Sequence, residues 1–235
     1  MRGSPEATVV SWPCPVAGEQ LALQCGAARV QGAGRRVLVV PALLDEGNKL
    51  RRFTVEVMRR LAGAGHACFM PELPGLGEST AQLCAQTPQS WQASMAGAAE
   101  YFAASHVLTL RGGALVAPGH LPGWHYAPVA GSSQLRQLLR ARIMAAREAG
   151  QTETQDSLLA LGREQGLELA GYRLGAEFIT QFSGLALPEA GGPQHTIAQG
   201  MVGGPGLWLR AEPAHSAPQA DALAAIVAMA LGEAA

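Results

Sequence analysis

The residues best placed to do chemistry sit in His106-Val107-Leu108-Thr109-Leu110-Arg111-Gly112-Gly113-Ala114-Leu115-Val116. The stretch reads as a short apolar strand, a tight turn and the first turn of a helix. A junction of that shape holds one side chain exposed at the end of a sheet, and when it carries G-x-S-x-G that side chain is a nucleophilic serine. Here the same register reads Thr109-Leu110-Arg111-Gly112-Gly113, so the residue at the apex is Arg111. An arginine stays protonated in a protein and cannot attack a carbonyl. It can clamp a carboxylate or phosphate bidentately beside a helix N-terminus. It can also pair with an acid of a neighbouring loop and close the site. Asp45, Glu46 and Glu72 are the carboxylates in reach of that second role, and a buried arginine must have one.

The loop Asp45-Glu46-Gly47-Asn48-Lys49 brings two carboxylates, an amide and an amine to a segment that precedes a helix. It reads either as a polar binding loop or as an ordinary helix start, with Asn48 as the cap and the acids favoured by the helix dipole. His215 lies between the last apolar segment and the last helix, where a general base would stand, yet without a nucleophile it has nothing to activate. Thr109, Ser79 and Cys84 are the substitute nucleophiles near the turn, and none sits at its apex. The candidate site is therefore Arg111, Glu46, Asn48, Lys49 and Glu72 for binding, with His215 as a weak catalytic candidate. His125 and His195 have no partner that the sequence identifies. The four cysteines lack CxxC spacing, and Cys25 and Cys68 fall in apolar, strand-like contexts; reduced, buried thiols are expected, and neither a metal nor a cofactor is implied.

Apolar segments of two periods must position these residues. Leu21–Cys25, Arg36–Val40, Ala67–Met70 and His106–Leu110 are short apolar or β-branched runs, and helical patterns separate the later ones. Phe53, Val57 and Leu61 share one helix face; Trp91, Met95, Ala98 and Phe102 share another. That alternation predicts a mostly parallel sheet with right-handed crossovers. Gly32-Ala33-Gly34 is expected to turn. Past Arg111 only about one helical turn precedes Pro118-Gly119, and Gly123–Val129 offers a further strand. Residues 132–185 read as helical, with Leu135, Leu138, Leu139 and Ile143 on one stripe and Leu174, Phe178, Ile179 and Phe182 on another. Residues 186–206 read as loop, Leu207–Ala211 as a last strand, and Leu223, Ile226, Val227 and Leu231 as a closing helix. The 235 residues are read as one α/β domain with a helical cap at about 132–185.

Three stretches carry a family resemblance. Val40-Pro41-Ala42-Leu43-Leu44-Asp45-Glu46-Gly47-Asn48-Lys49-Leu50-Arg51-Arg52 resembles the loop after the third strand in the exosortase A system-associated hydrolases of type 2, members of the α/β-hydrolase superfamily. Glu72-Leu73-Pro74-Gly75-Leu76-Gly77-Glu78-Ser79 is similar to their D-L-P-G-x-G-D-S turn. Leu110-Arg111-Gly112-Gly113-Ala114-Leu115 is similar to their L-R-x-G-A-L elbow, in which arginine already replaces serine. Ala127-Pro128-Val129-Ala130-Gly131 and Leu167-Glu168-Leu169-Ala170-Gly171-Tyr172-Arg173-Leu174 agree with two further family segments. The resemblance implies an α/β-hydrolase core and hydrolase activity within an exosortase and exopolysaccharide system, and on that ground a hydrolase is the leading class.

Composition bounds the partners. Hydrophobic residues are 48%, charged residues 15%, and the net charge is −1. Such a chain folds, and without a basic stripe it is not a nucleic-acid binder. The longest apolar stretch, Ala222 to Leu231, is too short to cross a bilayer, and residues 1–6 carry no apolar signal segment; a cytoplasmic protein is expected. Three functions compete: an esterase-like hydrolase with an altered site, a pseudohydrolase binding a small anionic or acyl ligand, and a protein that docks to a partner of the exosortase system through its cap, where Arg136, Arg140, Arg142 and Arg147 gather.

Overall fold

The computed structural model describes residues 5–27, 34–189 and 191–233. Its centre is a sheet of seven strands in the order β1-β2-β4-β3-β5-β6-β9. These are β1 Ala7–Cys14, β2 Gly18–Cys25, β3 Arg36–Val40, β4 Ala67–Pro71, β5 His106–Leu110, β6 Gly123–Tyr126 and β9 Gln194–Ile197. β1 and β2 form an antiparallel hairpin and β2 meets β4 antiparallel; from β4 to β9 every neighbour is parallel. The central strands are buried on both faces, which is why they read as continuous apolar runs rather than alternations.

Two helical layers cover the sheet. On one face, α1 Asp45–Gly63 and α7 Ala217–Glu233 bury Leu50, Phe53, Val57 and Leu61 with Leu223, Val227 and Leu231 against Val37, Val39, Leu108 and Leu110. On the other, α2 Pro88–Tyr101 sets Trp91, Met95 and Ala98 against Leu38, Val40, Phe69 and Val107. α2 starts sharply because Thr87 and Ser90 cap each other reciprocally and Pro88 pre-sets the first turn. The cap follows β6: α3 Gly131–Glu148, α4 Gln155–Gln165, a hairpin of β7 Leu167–Leu169 and β8 Tyr172–Leu174, and α5 Ala176–Gly184.

The chain runs from β3 to β4 on one side of the sheet, and then from β4 to β5 on the other side of β3. The loops after β3 and β5 therefore diverge at the carboxyl edge. Open α/β sheets hold their ligands in the crevice at such a reversal. In this chain the residues at that point are Pro41–Leu44 and Arg111.

The structure corrects four expectations. The segment 186–206 is not all loop: it holds the edge strand β9 and the short helix α6 Gln199–Val202. Leu207–Leu209 is a 3-10 turn rather than a strand, because Trp208 is drawn inward while Leu209 stays exposed. The cap is interrupted by the β7–β8 hairpin, whose turn residues Ala170 and Gly171 both have positive φ. Asn48 does not cap α1; the helix begins at Asp45, and Leu44 holds the N-cap position with φ 54 and ψ −134. Ala7–Cys14 forms a strand that the mixed composition of the N-terminal segment did not announce. Of the expected turn at Gly32-Ala33-Gly34, the first two residues lie outside the described residues.

Candidate functional site

Arg111 follows the last residue of β5 with φ 53 and opens a 3-10 turn, Arg111–Leu115. A non-glycine residue there is strained, and the elbow exists because its neighbours tolerate close backbone approach. A Cβ on Gly113 would lie 2.5 Å from the Pro41 carbonyl oxygen and 2.7 Å from that of Val40, so the turn presses directly on the end of β3. Leu44 and Ala127, at φ 54 and φ 44, flank the same point.

Arg111 is 9% exposed, and each of its three guanidinium nitrogens donates one hydrogen bond. Its Nε donates to Glu46 Oε2 and its Nη2 to Glu46 Oε1, each at 3.0 Å, a two-pronged pair. Nη1 donates to the Ala127 carbonyl at 2.6 Å. The guanidinium carbon lies 3.9 Å from the centroid of the Trp208 ring, a cation–π contact. Trp208 is the residue sequence reasoning missed. It lies far along the chain, and only its apolar setting hinted that it turns inward.

Gln134 of α3 closes the remaining gap. It is 3% exposed, and its Nε2 donates to the Leu43 carbonyl at 2.9 Å. Its Oε1 has no hydrogen-bond partner and sits 2.4 Å from where a Cβ on Gly112 would lie. In serine hydrolases of this topology, the N–H after the nucleophile and an N–H from the loop after β3 bind the oxyanion. Here the Gln134 amide spans the corresponding two segments.

The other predicted residues go elsewhere. Glu72 is held by Arg51, not by Arg111. Lys49 pairs with Asp45 at 2.8 Å, one turn along α1. Asn48 Nδ2 donates to the Tyr172 hydroxyl at 2.8 Å, joining α1 to the cap hairpin. His215 precedes α7 with its Nδ1 buried and unpartnered, and among the described residues no hydrogen bond ties it to Arg111, Glu46 or Glu72. Ser79 accepts from the backbone N–H groups of Gly75 and Ala81 and so closes its own turn. Cys84 is exposed; Cys14, Cys25 and Cys68 are buried free thiols.

His125, unassigned from sequence, has two partners. Thr109 Oγ1 lies 2.7 Å from its Nδ1 and Gln194 Oε1 lies 3.1 Å from its Nε2. Gln194 spends its amide nitrogen on the carbonyls of Pro118 and Leu121. Its Oε1 must therefore accept, which places the imidazole proton on Nε2 and leaves Nδ1 to receive the Thr109 hydroxyl. Burial pushes the His125 pKa down. Thr109 is wholly buried within the sheet, out of reach of a substrate. Burial also pushes the Tyr126 hydroxyl up to about 12.

Beside the elbow lies a cavity of about 860 Å³, between the loop after β3, the loop after β4 and the cap hairpin. Asn48, Arg51, Glu72 and Tyr172 line it; Arg111, Glu46 and Lys49 do not.

Seven strands in this order, with the elbow after β5 and a cap after β6, define an α/β-hydrolase fold. Among solved structures, the chain is similar to a hypothetical protein from Pseudomonas aeruginosa, with a TM-score of 0.54 and 11% identity over 83% of this chain and 78% of that one. It is also similar to alpha/beta hydrolase domain-containing protein 10 from mouse, with a TM-score of 0.48 and 15% identity over 77% and 71% of the two chains. A third is a proline iminopeptidase-related protein from Thermus thermophilus, with a TM-score of 0.44 and 17% identity over 63% and 52%. At these identities the likeness is one of fold. No family model and no curated protein matches the chain by sequence. Among the described residues no helix is long and apolar enough to cross a membrane.

Proposed function

We propose that this protein is a pseudohydrolase: an α/β-hydrolase fold that has lost serine-ester hydrolysis and binds a small ligand beside its filled elbow. The observation that carries this reading is the two-pronged pairing of Arg111 with Glu46 at the apex of the turn. A charge-paired guanidinium occupies the place from which a hydroxyl would attack. Gln134 adds support, since its amide fills the space where a carbonyl oxygen would be stabilised. The ligand space is then the adjoining cavity, whose volume falls in the range of small-molecule sites.

The biological setting follows from the resemblance alone. Asn48-Lys49 in its loop and Ala170-Gly171-Tyr172 in the hairpin resemble the motifs of the exosortase A system-associated hydrolases, and on that basis we associate the protein with an exosortase and exopolysaccharide system. The test is chemical. Purified protein is expected to take no label from a fluorophosphonate probe and to show no burst with p-nitrophenyl esters. Arg111→Ser is expected to remain inactive, because it strands Glu46 and leaves Gln134 in place. Stoichiometric labelling of any serine in the unmodified chain would overturn the reading.

A further inference from the structure

The cavity beside the elbow carries four charged side chains in two internal pairs. Arg51 bonds Glu72, and Arg173 Nε lies 3.2 Å from Glu168 Oε2. The two arginines balance the two glutamates, so the wall is neutral. Glu72 is further fixed by the turn beneath it, because its Oε2 occupies the space that a Cβ on Gly77 would need. An anion entering here would have to compete with a buried carboxylate for Arg51, and a cation would have to compete with arginine for Glu72. The first exchange strands a buried carboxylate, while the second pair is largely solvent-exposed, 82% at Arg173 and 58% at Glu168, where its pull on a ligand is screened.

The wall also carries uncharged polar residues, Gln82 and Cys84 at the loop after β4 and Asn48 and Tyr172 between α1 and the cap hairpin. Asn48 and Tyr172 bond each other at the cavity wall, and each keeps further hydrogen-bonding capacity. With Asn48 Nδ2 donating, the Tyr172 O–H has a proton to give and Asn48 Oδ1 has a lone pair to offer; among the described residues neither has a further partner. If the asparagine amide is turned over, the roles exchange and the pair still presents one donor and one acceptor. Leu44, Leu73, Leu76 and Leu83 add apolar surface to the same cavity.

We propose that this cavity binds an uncharged acyl amide, its C=O and N–H paired with Tyr172 and Asn48 and its alkyl chain lying on the leucines. The proposal deepens the pseudohydrolase reading and selects an acyl ligand over an anionic one. It rests on that reading only for the absence of turnover.

Three eight-carbon probes that differ in head group test it on the full chain by isothermal titration calorimetry: octanamide, octanoate and octylammonium. Octanamide is expected to bind at least about tenfold more tightly than either charged probe, a difference of about 1.4 kcal/mol. Tyr172→Phe is expected to weaken octanamide about fivefold to tenfold while leaving the circular dichroism melt unchanged, and Leu76→Trp to abolish binding by filling the apolar wall. If Leu76→Trp does not fold, the Tyr172→Phe result decides. Equal or tighter octanoate or octylammonium binding, no octanamide binding, or indifference to Tyr172→Phe would overturn the proposal. A fluorophosphonate-labelled serine alongside octanamide selectivity would sink only the pseudohydrolase reading. An unlabelled protein that ignores octanamide would sink only this one.

Discussion

Two arginine–glutamate pairs lie close together in this fold, and they behave differently. Arg111 and Glu46 are buried, make two parallel bonds, and share the guanidinium with a carbonyl and the face of Trp208. Arg51 and Glu72 meet through one nitrogen, with the arginine side chain 39% exposed on the wall of a cavity. The same residue types give a buried, fixed pair in one place and part of a cavity wall in the other. Burial and the number of satisfied N–H groups decide between the two outcomes, not the charge itself.

The largest effect should come from the buried pair. Arg111→Ala leaves Glu46 buried without a partner and is expected to cost about 3–5 kcal/mol. For a chain of this size that is a fall in melting temperature of roughly 6–20 °C by calorimetry. An Arg111→Ala protein that melts with the unmodified one would erase the distinction between the two pairs.

Acidification should separate them next. The pKa values of His66, His106 and His125 are each pushed below the ordinary histidine value, first by burial. For a depressed histidine the unfolded chain takes up protons before the folded one does. Its contribution to stability is therefore complete above the unfolded value of about 6.5 and is lost as pH falls from there toward the folded pKa. Urea midpoints are expected to drop between pH 7.5 and 5, and His125→Gln should flatten part of that slope. Among the described residues the cavity wall holds no histidine, so octanamide affinity measured on folded protein should hold between pH 7.5 and 6.5.

The smallest effect belongs to the cavity wall. Arg51→Ala removes a half-exposed arginine but leaves the buried Glu72 carboxylate unpaired at the cavity wall, and the expected cost is about 1–3 kcal/mol. A loss as large as that at Arg111 would show that the two pairs are equally structural.

How much of this was legible from residues differs between the two regions. The elbow was, because a strand run, an apex residue and two glycines lie within one short segment. The core faces were legible for the same reason: Phe53, Val57 and Leu61 repeat at helical spacing and are all buried. The edges were not. Gln194-His195-Thr196-Ile197 is a short, half-exposed edge strand, so it shows no apolar run and looks like its Gly- and Pro-rich surroundings. Leu207-Trp208-Leu209 has strand-like composition, yet Trp208 turns inward to meet Arg111 through a contact that no local pattern encodes. Asn48 illustrates a third limit. A residue with a good cap chemistry was drawn instead to Tyr172, distant in sequence and near only once the cap had folded back.

The left-handed backbone at Arg111 also constrains which residue this apex can hold. Strain of the order of 1–3 kcal/mol at such a position persists only where surrounding contacts hold it. Here those contacts belong to the arginine itself. A serine placed at this apex would keep the unfavourable backbone while giving up Glu46, the Ala127 carbonyl and Trp208 together. Glu46 and Gln134 would both have to change before a hydroxyl could work there. A serine at this apex would thus meet several obstacles at once, and the elbow acts as a latch on the residue it holds.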